Sequence, residues 1–408
     1  IILNGQPTAG TNYIVKYYDS QTNADNLQFP ISITTNFIGA TNQTIWYTVQ
    51  DIASGCYAVG SFTLVVNAPT VLTTPTLLKV CDTDSTPNDE FTTFDIANYI
   101  GTVAGHTLSF YTDSNYTNLI TTPTAFVNTI PANQTIYVQA INQATGCISK
   151  RTLTLTVLKI PTPKTDPTAL IKCDDNAPGD QFEVFDLTQN ESYIMNADST
   201  VTLHYYPSYT DAVNNTNELL TPTAANVKNN VWIRVSSNNF INSFNENCYV
   251  LVEQPIIVNP LPAVTASISP YVLCDFNNPG NEKEFFDLTT KTTEILGASQ
   301  LPSNFTVSFY TTQTAAQAGT GAIATPTAFE NTSNPQTIYV RIVNNATGCV
   351  NATGSFELKI NPLPSATAPI DFVTCDTDLT NDGFFNYPLD DLVDDVLGTQ
   401  SATDYTVT

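Results

Sequence analysis

Short stretches of alternating apolar and polar residues recur along the chain and predict β-strands. In the stretch TIYVQAI, from Thr135 to Ile141, isoleucine and valine alternate with tyrosine and glutamine. A tight ATGC turn follows, and TLTLTVL then returns with the same period of two. Stretches with helical periodicity are short. LDDLVDDVLG, near the C-terminus, predicts a helix of two turns that ends at Gly398.

A segment that begins with cysteine returns at domain-sized intervals. CDTDSTPNDEFTTFD starts at Cys81, and related segments start at Cys173, Cys274 and, in altered form, Cys375, at spacings of 92, 101 and 101 residues. A period of this size indicates an array of similar domains. We divide the chain into five repeats, named in order: the first (1–68, without its opening segment), second (71–160), third (166–259), fourth (265–361) and fifth (368–408, without its later part). We expect the sequence to be a window from a longer chain.

The strand pattern within each repeat predicts the fold class. About seven short strands with tight turns favour an all-β, immunoglobulin-like or fibronectin-like sandwich. We also expect one short helix per repeat, with its N-cap fifteen residues after the cysteine, at Thr188, Thr289 and Asp390. Proline-rich linkers such as KIPTP and NPLP are stiff, so the tandem domains are expected to form an elongated rod.

The charge balance narrows the classes of partner. The chain has 37 acidic and 13 basic residues, a net charge of -24. Such a surface repels phosphate backbones and anionic lipids, and it attracts divalent cations. Nucleic acid is therefore excluded as a partner. Direct membrane insertion is excluded as well, because no run approaches the roughly 20 apolar residues of a spanning helix.

The sequence does not favour an enzyme. His106 and His204 are the two histidines, and neither has a repeated partner. The sequence therefore offers no Ser/His/Asp or Cys/His set of the kind that nucleophilic catalysis requires. Paired carboxylates are plentiful, so residue type alone does not exclude a glycosidase. We predict that the chain is not an enzyme.

The eight cysteines allow two pairing schemes. Pairing across linkers would join Cys56 to Cys81 and Cys147 to Cys173. We reject it because the strand after Cys147 is about 33 Å long, whereas bonded cysteines have Cα atoms within about 7 Å. We therefore predict pairs within repeats, Cys81–Cys147, Cys173–Cys248 and Cys274–Cys349, with Cys56 and Cys375 pairing outside the sequence. Paired cysteines place the protein outside the cytosol.

The acidic segment after each opening cysteine is a candidate Ca²⁺ site. Hard cations take Asp, Asn and Glu oxygens, and a D-x-[DN] step followed by a later Asp or Asn supplies them. The predicted ligands are Asp82, Asp84 and Asn88 with Asp89 as a further candidate; Asp174, Asn176 and Asp180; Asp275, Asn277 and Asn281; and Asp376, Asp378 and Asp382. Asp95, Asp186 and Asp287 are weaker candidates, because Pro388 takes that place in the last copy. The alternative is an ordinary Asx-turn in each loop.

The third repeat differs from its neighbours at one hairpin. Its cysteine, Cys248, lies sixteen residues after Trp232, whereas the corresponding spacing in the second and fourth repeats is ten. Loop tips tolerate such insertions, and they also carry binding specificity. Residues 236–247 are therefore the candidate binding loop of the chain.

Several repeated elements carry a family resemblance. The elements CD-x-[DN], FDL, PTAF, QTIYV and NxATGC resemble the repeat units of giant secreted cell-surface proteins of Bacteroidota, including gliding-motility adhesins of the SprB type. The resemblance covers nearly the whole chain. It implies export by the type IX secretion system, a filament at the cell surface and adhesion. For the gliding adhesins it also implies movement along the surface by a motor complex.

Two hypotheses of function follow. The first is a structural and adhesive stalk or filament segment at the cell surface, cross-linked by disulfides and stiffened by calcium. The second is a module that binds glycans or proteins through its hairpin loops. The expected partners are surface glycans or proteins, together with self-association into filaments through unpaired outer strands.

Overall fold

The computed structural model describes residues 2, 12–371, 373–375 and 382–408. The chain forms two compact units. Unit one comprises Ile1–Pro163, Met195–Leu203 and Val235–Val250, and unit two comprises Lys164–Ile194, His204–Arg234 and Leu251–Thr408. The hairpin end of the third repeat thus belongs to unit one, together with the second repeat.

The first repeat is a three-stranded antiparallel sheet. Its strands are β1 (Tyr13–Tyr18), β2 (Thr44–Asp51) and β3 (Tyr57–Thr63), in the order β1-β2-β3. The short helix α1 (Gln21–Asp25) follows β1 and begins at Ser20, whose hydroxyl accepts from the N–H of Asn23. Side-chain oxygens at this position satisfy an otherwise unpaired donor of the first turn.

The second repeat contains a four-stranded sheet and a two-stranded sheet. Its elements are β4 (Leu77–Cys81), β5 (Thr93–Phe94), α2 (Ile96–Ile100), β6 (His106–Tyr111), β7 (Phe126–Val127), β8 (Asn133–Asn142) and β9 (Ile148–Leu158). The larger sheet has the order β4-β9-β8-β6, and β5 pairs with β7. β4 runs parallel to β9, with Cys81 opposite Leu158. The opening cysteine therefore lies at the end of the repeat where the last strand finishes.

The alternating pattern of β8 explains the core of the second repeat. Ile136, Val138 and Ala140 are buried on one face of the strand, while the residues between them are more exposed. Phe94 and Ile96 from the opening segment pack against this face. Burying one such side chain contributes about 1.5–3 kcal/mol. The apolar residues after the acidic loop thus fasten the loop to the sheet.

The third repeat follows the sequence order of the second, with the helix α4 and the strand β16 in addition. They are β10 (Leu170–Cys173), β11 (Glu183–Phe185), α3 (Glu191–Ile194), β12 (Val201–Tyr206), α4 (Tyr209–Asn214), β13 (Ala225–Val227), β14 (Val231–Ile241), β15 (Asn247–Gln254) and β16 (Ile256–Asn259). The sheets have the orders β12-β14-β15, β10-β16 and β11-β13. β10 is parallel to β16, with Cys173 opposite Asn259.

The fourth repeat is built like the second. Its elements are β17 (Tyr271–Cys274), β18 (Phe285–Phe286), α5 (Thr292–Leu296), β19 (Phe305–Tyr310), α6 (Gln313–Ala318), β20 (Phe329–Glu330), β21 (Gln336–Asn344), β22 (Val350–Asn351) and β23 (Ser355–Asn361). The main sheet has the order β17-β23-β21-β19, and β22 pairs with β21. The opening strand β17 is parallel to the last strand β23.

The fifth repeat is described mainly through its helical segment. A 3₁₀ turn (Leu389–Leu392) leads into α7 (Val393–Leu397), which confirms the predicted helix before Gly398. The predicted class of tandem immunoglobulin-like sandwiches with few short helices is confirmed. No helix in the described part of the chain has the length and apolar character to cross a bilayer.

The helices correct two details of the prediction. The third and fourth repeats each contain a second short helix, α4 and α6, which begin at Ser208 and Thr312. Six residues are too few for a clear periodic pattern, which is why the sequence did not reveal them. The predicted N-caps Thr188, Thr289 and Asp390 are wrong by two residues, because the helical turns begin after Asp186, Asp287 and Pro388.

Candidate functional site

The opening loops share a buried aspartate directly after the cysteine. Asp82, Asp174 and Asp275 are 0%, 1% and 2% exposed. In each, Oδ2 accepts from a backbone N–H across the loop: Glu90 at 3.0 Å, Gly179 at 2.7 Å and Gly280 at 2.6 Å. The other oxygen, Oδ1, has no hydrogen-bond partner in any of the three.

A glutamate completes the loops of the third and fourth repeats. Glu183 Oε1 accepts from the N–H groups of Asp175 and Asn176, and Glu284 Oε1 accepts from those of Phe276 and Asn277. Asn277 also donates its side-chain N–H to Glu284. Both glutamates are buried. The predicted ligands Asn176 and Asn277 thus contribute their backbone to a hydrogen-bonded turn.

The later predicted ligands of these loops form Asx-type turns. Asp180 Oδ1 accepts from the N–H of Phe182 at 2.8 Å, and Asn281 Oδ1 accepts from that of Lys283 at 2.8 Å. Asp382 in the fifth repeat accepts from Phe384 in the same way, at 3.0 Å. Asp376 and Asp378 lie outside the described residues. These contacts match the alternative interpretation of the loops as turns.

The second repeat departs from this arrangement. Three of its carboxylates, Asp82, Asp84 and Asp89, each place one oxygen within 4.8 Å of the others. Burial raises the pKa of Asp82, and the negative charges of Asp84 and Asp89 raise it further. The hydrogen bond from the Glu90 N–H acts in the opposite direction and lowers this pKa. Hydrogen bonds from the Thr86 hydroxyl and the Phe91 N–H lower the pKa of Asp89. Among the described residues, these three carboxylates are the acidic groups that lie close enough together to bind one ion.

Asn88, predicted as a ligand, has a different role. Its Oδ1 accepts from the N–H of Ile160 at 2.8 Å, and its Nδ2 donates to the Ile160 carbonyl at 3.1 Å. Its backbone adopts φ 66°, as Gly179 and Gly280 adopt positive φ after the corresponding prolines. The loop of the second repeat has one extra residue before its proline, so Asp89 is the counterpart of Asp180 and Asn281. The side chain of Asn88 is thus engaged with Ile160, and its assignment as a ligand stays a prediction.

The weaker candidates Asp95, Asp186 and Asp287 cap helical turns. Asp95 accepts from the N–H of Asn98, Asp186 from that of Thr188 and Asp287 from that of Thr289. Pro388 takes the same position in the fifth repeat without a side-chain cap. This explains why a proline is tolerated there, since only a cap is lost.

Two disulfides join consecutive repeats. Cys81 of the second repeat bonds to Cys248 of the third, and Cys173 of the third bonds to Cys349 of the fourth. The Cα atoms are 5.6 Å apart in both bonds. The predicted pairs Cys81–Cys147, Cys173–Cys248 and Cys274–Cys349 are therefore wrong, and so is the rejected alternative across linkers.

The parallel opening strand explains the pairing. Cys81 lies opposite Leu158, at the end of β9, whereas Cys147 lies just before β9 begins. A strand of this length separates the two cysteines by about 33 Å. The opening cysteine and the hairpin cysteine of one repeat therefore lie at opposite ends of that repeat. In the second and third repeats, the hairpin of the following repeat reaches the opening cysteine.

Four cysteines are unpaired in the described chain. Cys56, Cys274 and Cys375 are exposed, and Cys147 is half-buried. Cys147 Sγ lies 3.6 Å from the carbonyl oxygen of Asn67, much as Cys349 Sγ lies 3.9 Å from that of Asn259. The hairpin cysteine of the second repeat thus contacts the end of the first repeat, as that of the fourth repeat contacts the end of the third.

The hairpin insertion of the third repeat docks on the second repeat, within unit one. Ser243 accepts from the N–H of Lys79 through its hydroxyl at 2.7 Å, and its own N–H donates to the Lys79 carbonyl at 3.1 Å. Phe244 stacks edge-on against Tyr99, with ring centroids 6.0 Å apart. β4 is the edge strand of its sheet, so the insertion covers an otherwise open edge. The predicted binding loop 236–247 is thus occupied within the chain.

Replacing Phe244 with alanine is expected to loosen this docking. An edge-to-face aromatic pair is worth about 0.5–1.5 kcal/mol beyond its buried area, so amide exchange at Lys79 should quicken about two- to twelvefold. Hydrogen exchange of the disulfide-intact chain measures this directly, because the Lys79 amide donates to Ser243. Phe240→Ala, in the same hairpin, is the control. Equal exchange rates in the two variants would contradict the role of Phe244.

The histidines and a cavity in the first repeat show no catalytic arrangement in the described residues. His106 Nε2 lies 2.9 Å from the hydroxyl of Thr70, in the preceding linker, and His204 pairs with Glu218 at 2.7 Å. A cavity of 690 Å³ in the first repeat is lined by apolar side chains, threonines and Asn36, without a carboxylate, histidine or cysteine. The expectation that the chain is not an enzyme stays a prediction.

Comparison with known proteins adds a family match. Residues 1–70, 77–161, 169–262 and 270–364 each match the family model described as the Flavobacterium inter-domain disulphide bond domain. No curated protein matches the chain in sequence.

Solved structures of tandem domains also resemble the chain at low identity. Titin domains I67–I69 are 11% identical, with 62% of this chain and 90% of that chain covered at a TM-score of 0.22. Zebrafish RET cadherin-like domains 1 to 4 are 9% identical, with 85% and 93% covered at a TM-score of 0.16. Drosophila N-cadherin EC1–4 is 10% identical, with 87% and 93% covered at a TM-score of 0.19.

Proposed function

Because the chain belongs to the Flavobacterium inter-domain disulphide bond domain family, we propose that it is a structural segment of a large extracellular adhesive protein. The observation that carries this proposal is the pair of disulfides between consecutive repeats, Cys81–Cys248 and Cys173–Cys349. Disulfides persist in oxidising surroundings, which supports a location outside the cell. The segment would hold an adhesive end away from the cell surface.

In both bonds, the opening cysteine of one repeat joins the hairpin cysteine of the next repeat, and we extend this pairing to the other cysteines. Cys147 would bond to an opening cysteine of the first repeat, and Cys274 to a hairpin cysteine of the fifth repeat. Neither of those partners lies among the 408 residues. On this proposal Cys56 and Cys375 also bond to flanking repeats, so that each junction carries one cross-link.

The finer assignments of the proposal come from the family resemblance in the sequence. They are attachment at the cell surface, export by the type IX secretion system, assembly into filaments and participation in gliding motility. The insertion 236–247 favours a structural role over a binding role. Ser243 and Phe244 contact Lys79 and Tyr99 of the preceding repeat, so the hairpin tip forms part of the junction between the second and third repeats.

Binding arrays test the proposal against the alternative of a glycan- or protein-binding module. The oxidised 408-residue chain is applied to glycan arrays and to surface-protein preparations, beside a variant in which residues 236–247 are shortened to the length of the fourth-repeat hairpin. We expect no saturable ligand for either form. A saturable ligand that is lost on shortening would replace the structural proposal with the binding one.

A further inference from the structure

The opening loop of the second repeat has the geometry of a cation site. One oxygen from each of Asp82, Asp84 and Asp89 lies within 4.8 Å of the others. Oxygens bound to the same Ca²⁺ ion at 2.3–2.6 Å lie at most about 5 Å apart. The three carboxylates can therefore reach one ion with the loop in its present conformation. Asp84 and Asp89 are exposed, so the ion would have access from solvent and room for water ligands.

A second observation is the buried oxygen at the base of this loop. Asp82 is fully buried, and its Oδ1 has no hydrogen-bond partner. A buried charged acceptor without a hydrogen bond carries the full desolvation cost of that group. No Lys or Arg forms an ion pair with these three carboxylates in the described part of the chain. A bound cation would satisfy Asp82 and offset the repulsion among the three charges.

The third and fourth repeats serve as internal comparisons. Asp174 and Asp275 also have an Oδ1 without a hydrogen-bond partner. This oxygen alone therefore does not set the second-repeat loop apart, and the difference lies in the residues around it. In those repeats Glu183 and Glu284 occupy the loop and accept two backbone N–H groups each. The counterpart of Glu284 in the second repeat is Thr92: the backbone N–H groups of the two residues donate to Asn331 and Asn128, respectively.

The exchange of glutamate for threonine changes what the loop can bind. Glutamate in the third and fourth repeats ties the turn together by hydrogen bonds, while the second repeat brings Asp84 and Asp89 towards the buried Asp82. We propose that Asp82, Asp84 and Asp89 bind one Ca²⁺ ion, and that the loops of the third and fourth repeats bind none. Three protein ligands completed by water give an expected Kd of about 10⁻⁴–10⁻³ M, the range of extracellular calcium modules.

Calcium titration of the full 408-residue chain tests this site. The protein is depleted of metal and titrated with CaCl₂ in a calorimeter, and hydrogen exchange across residues 82–91 is followed with and without Ca²⁺. We expect saturable binding and slower exchange in this segment. Asp84→Asn and Asp89→Asn should each weaken binding about tenfold or more.

Asp180→Asn in the third repeat is the matched control. Asp180 accepts from Phe182 as Asp89 accepts from Phe91, so both substitutions keep an Asx-type acceptor in the turn. The control should bind Ca²⁺ like the unmodified chain. The proposal is overturned by the absence of saturable binding up to about 10 mM Ca²⁺. It is equally overturned if binding survives unchanged in both second-repeat variants, or if Asp180→Asn weakens it as much as they do.

Discussion

Replacing Cys248 with serine is expected to lower the free energy of unfolding of the cross-linked pair of repeats by about 3–5 kcal/mol. The Cys81–Cys248 bond closes a sequence separation of 167 residues, and in the chain-entropy model long loops gain the most. The loss should appear first around β4 and β15, where the two bonded residues lie. Hydrogen exchange under increasing urea resolves these strands separately, which is needed because a tandem array need not unfold in one step.

Cys147→Ser is the control for this substitution. Cys147 is the hairpin cysteine of the second repeat, as Cys248 is of the third, but it forms no disulfide in the described chain. Its replacement should change the stability by less than about 0.5 kcal/mol. If Cys248→Ser is no more destabilising than Cys147→Ser, the cross-link does not hold the junction together.

Phe286→Ala should destabilise the fourth repeat by about 3–5 kcal/mol. Phe286 is fully buried among the apolar residues of the fourth-repeat core, and its ring meets that of Tyr271 edge-on with centroids 5.1 Å apart. Truncation leaves a cavity that the surrounding sheet can fill only in part. The predicted change is measured as a shift of the urea midpoint for amides of β21.

The neighbouring Phe285 provides a control of identical chemistry. It precedes Phe286 in the same two-residue strand, points to the other face and is 59% exposed. Phe285→Ala is expected to stay within about 0.5 kcal/mol of the unmodified chain. Similar losses for both variants would mean that the core of the fourth repeat is not organised around Phe286.

The strands could be predicted from the sequence because each is an alternating stretch with one buried face. Thr135–Ile141 lies within β8, and the phenylalanines after the acidic loops are buried in the second, third and fourth repeats, at Phe94, Phe185 and Phe286. Periodicity records which face of an element is buried, and that information is local to the chain. The same local signal found the helix before Gly398.

The disulfides could not be predicted in this way. Their pairing depends on the parallel register of β4 with β9, which places Cys81 and Cys147 at opposite ends of a repeat. That register is a long-range property, and spacing along the sequence does not contain it. The acidic loops show a smaller difference: one extra residue before the proline makes Asp89, rather than Asn88, the counterpart of Asp180 in the second repeat.

The order of the cross-links along the chain also sets how far the protein can be stretched. Cys173 lies inside the loop closed by Cys81–Cys248, so the two covalent loops overlap. The shortest covalent route from Cys81 to Cys349 crosses to Cys248, returns along the chain to Cys173 and crosses again. At about 3.5 Å per residue, this route of about 75 residues extends to about 260 Å, against about 940 Å for the reduced chain. Under tension, the cross-linked chain therefore reaches its maximum end-to-end extension early, even when its domains unfold. When the tension is released, it returns from this short extension.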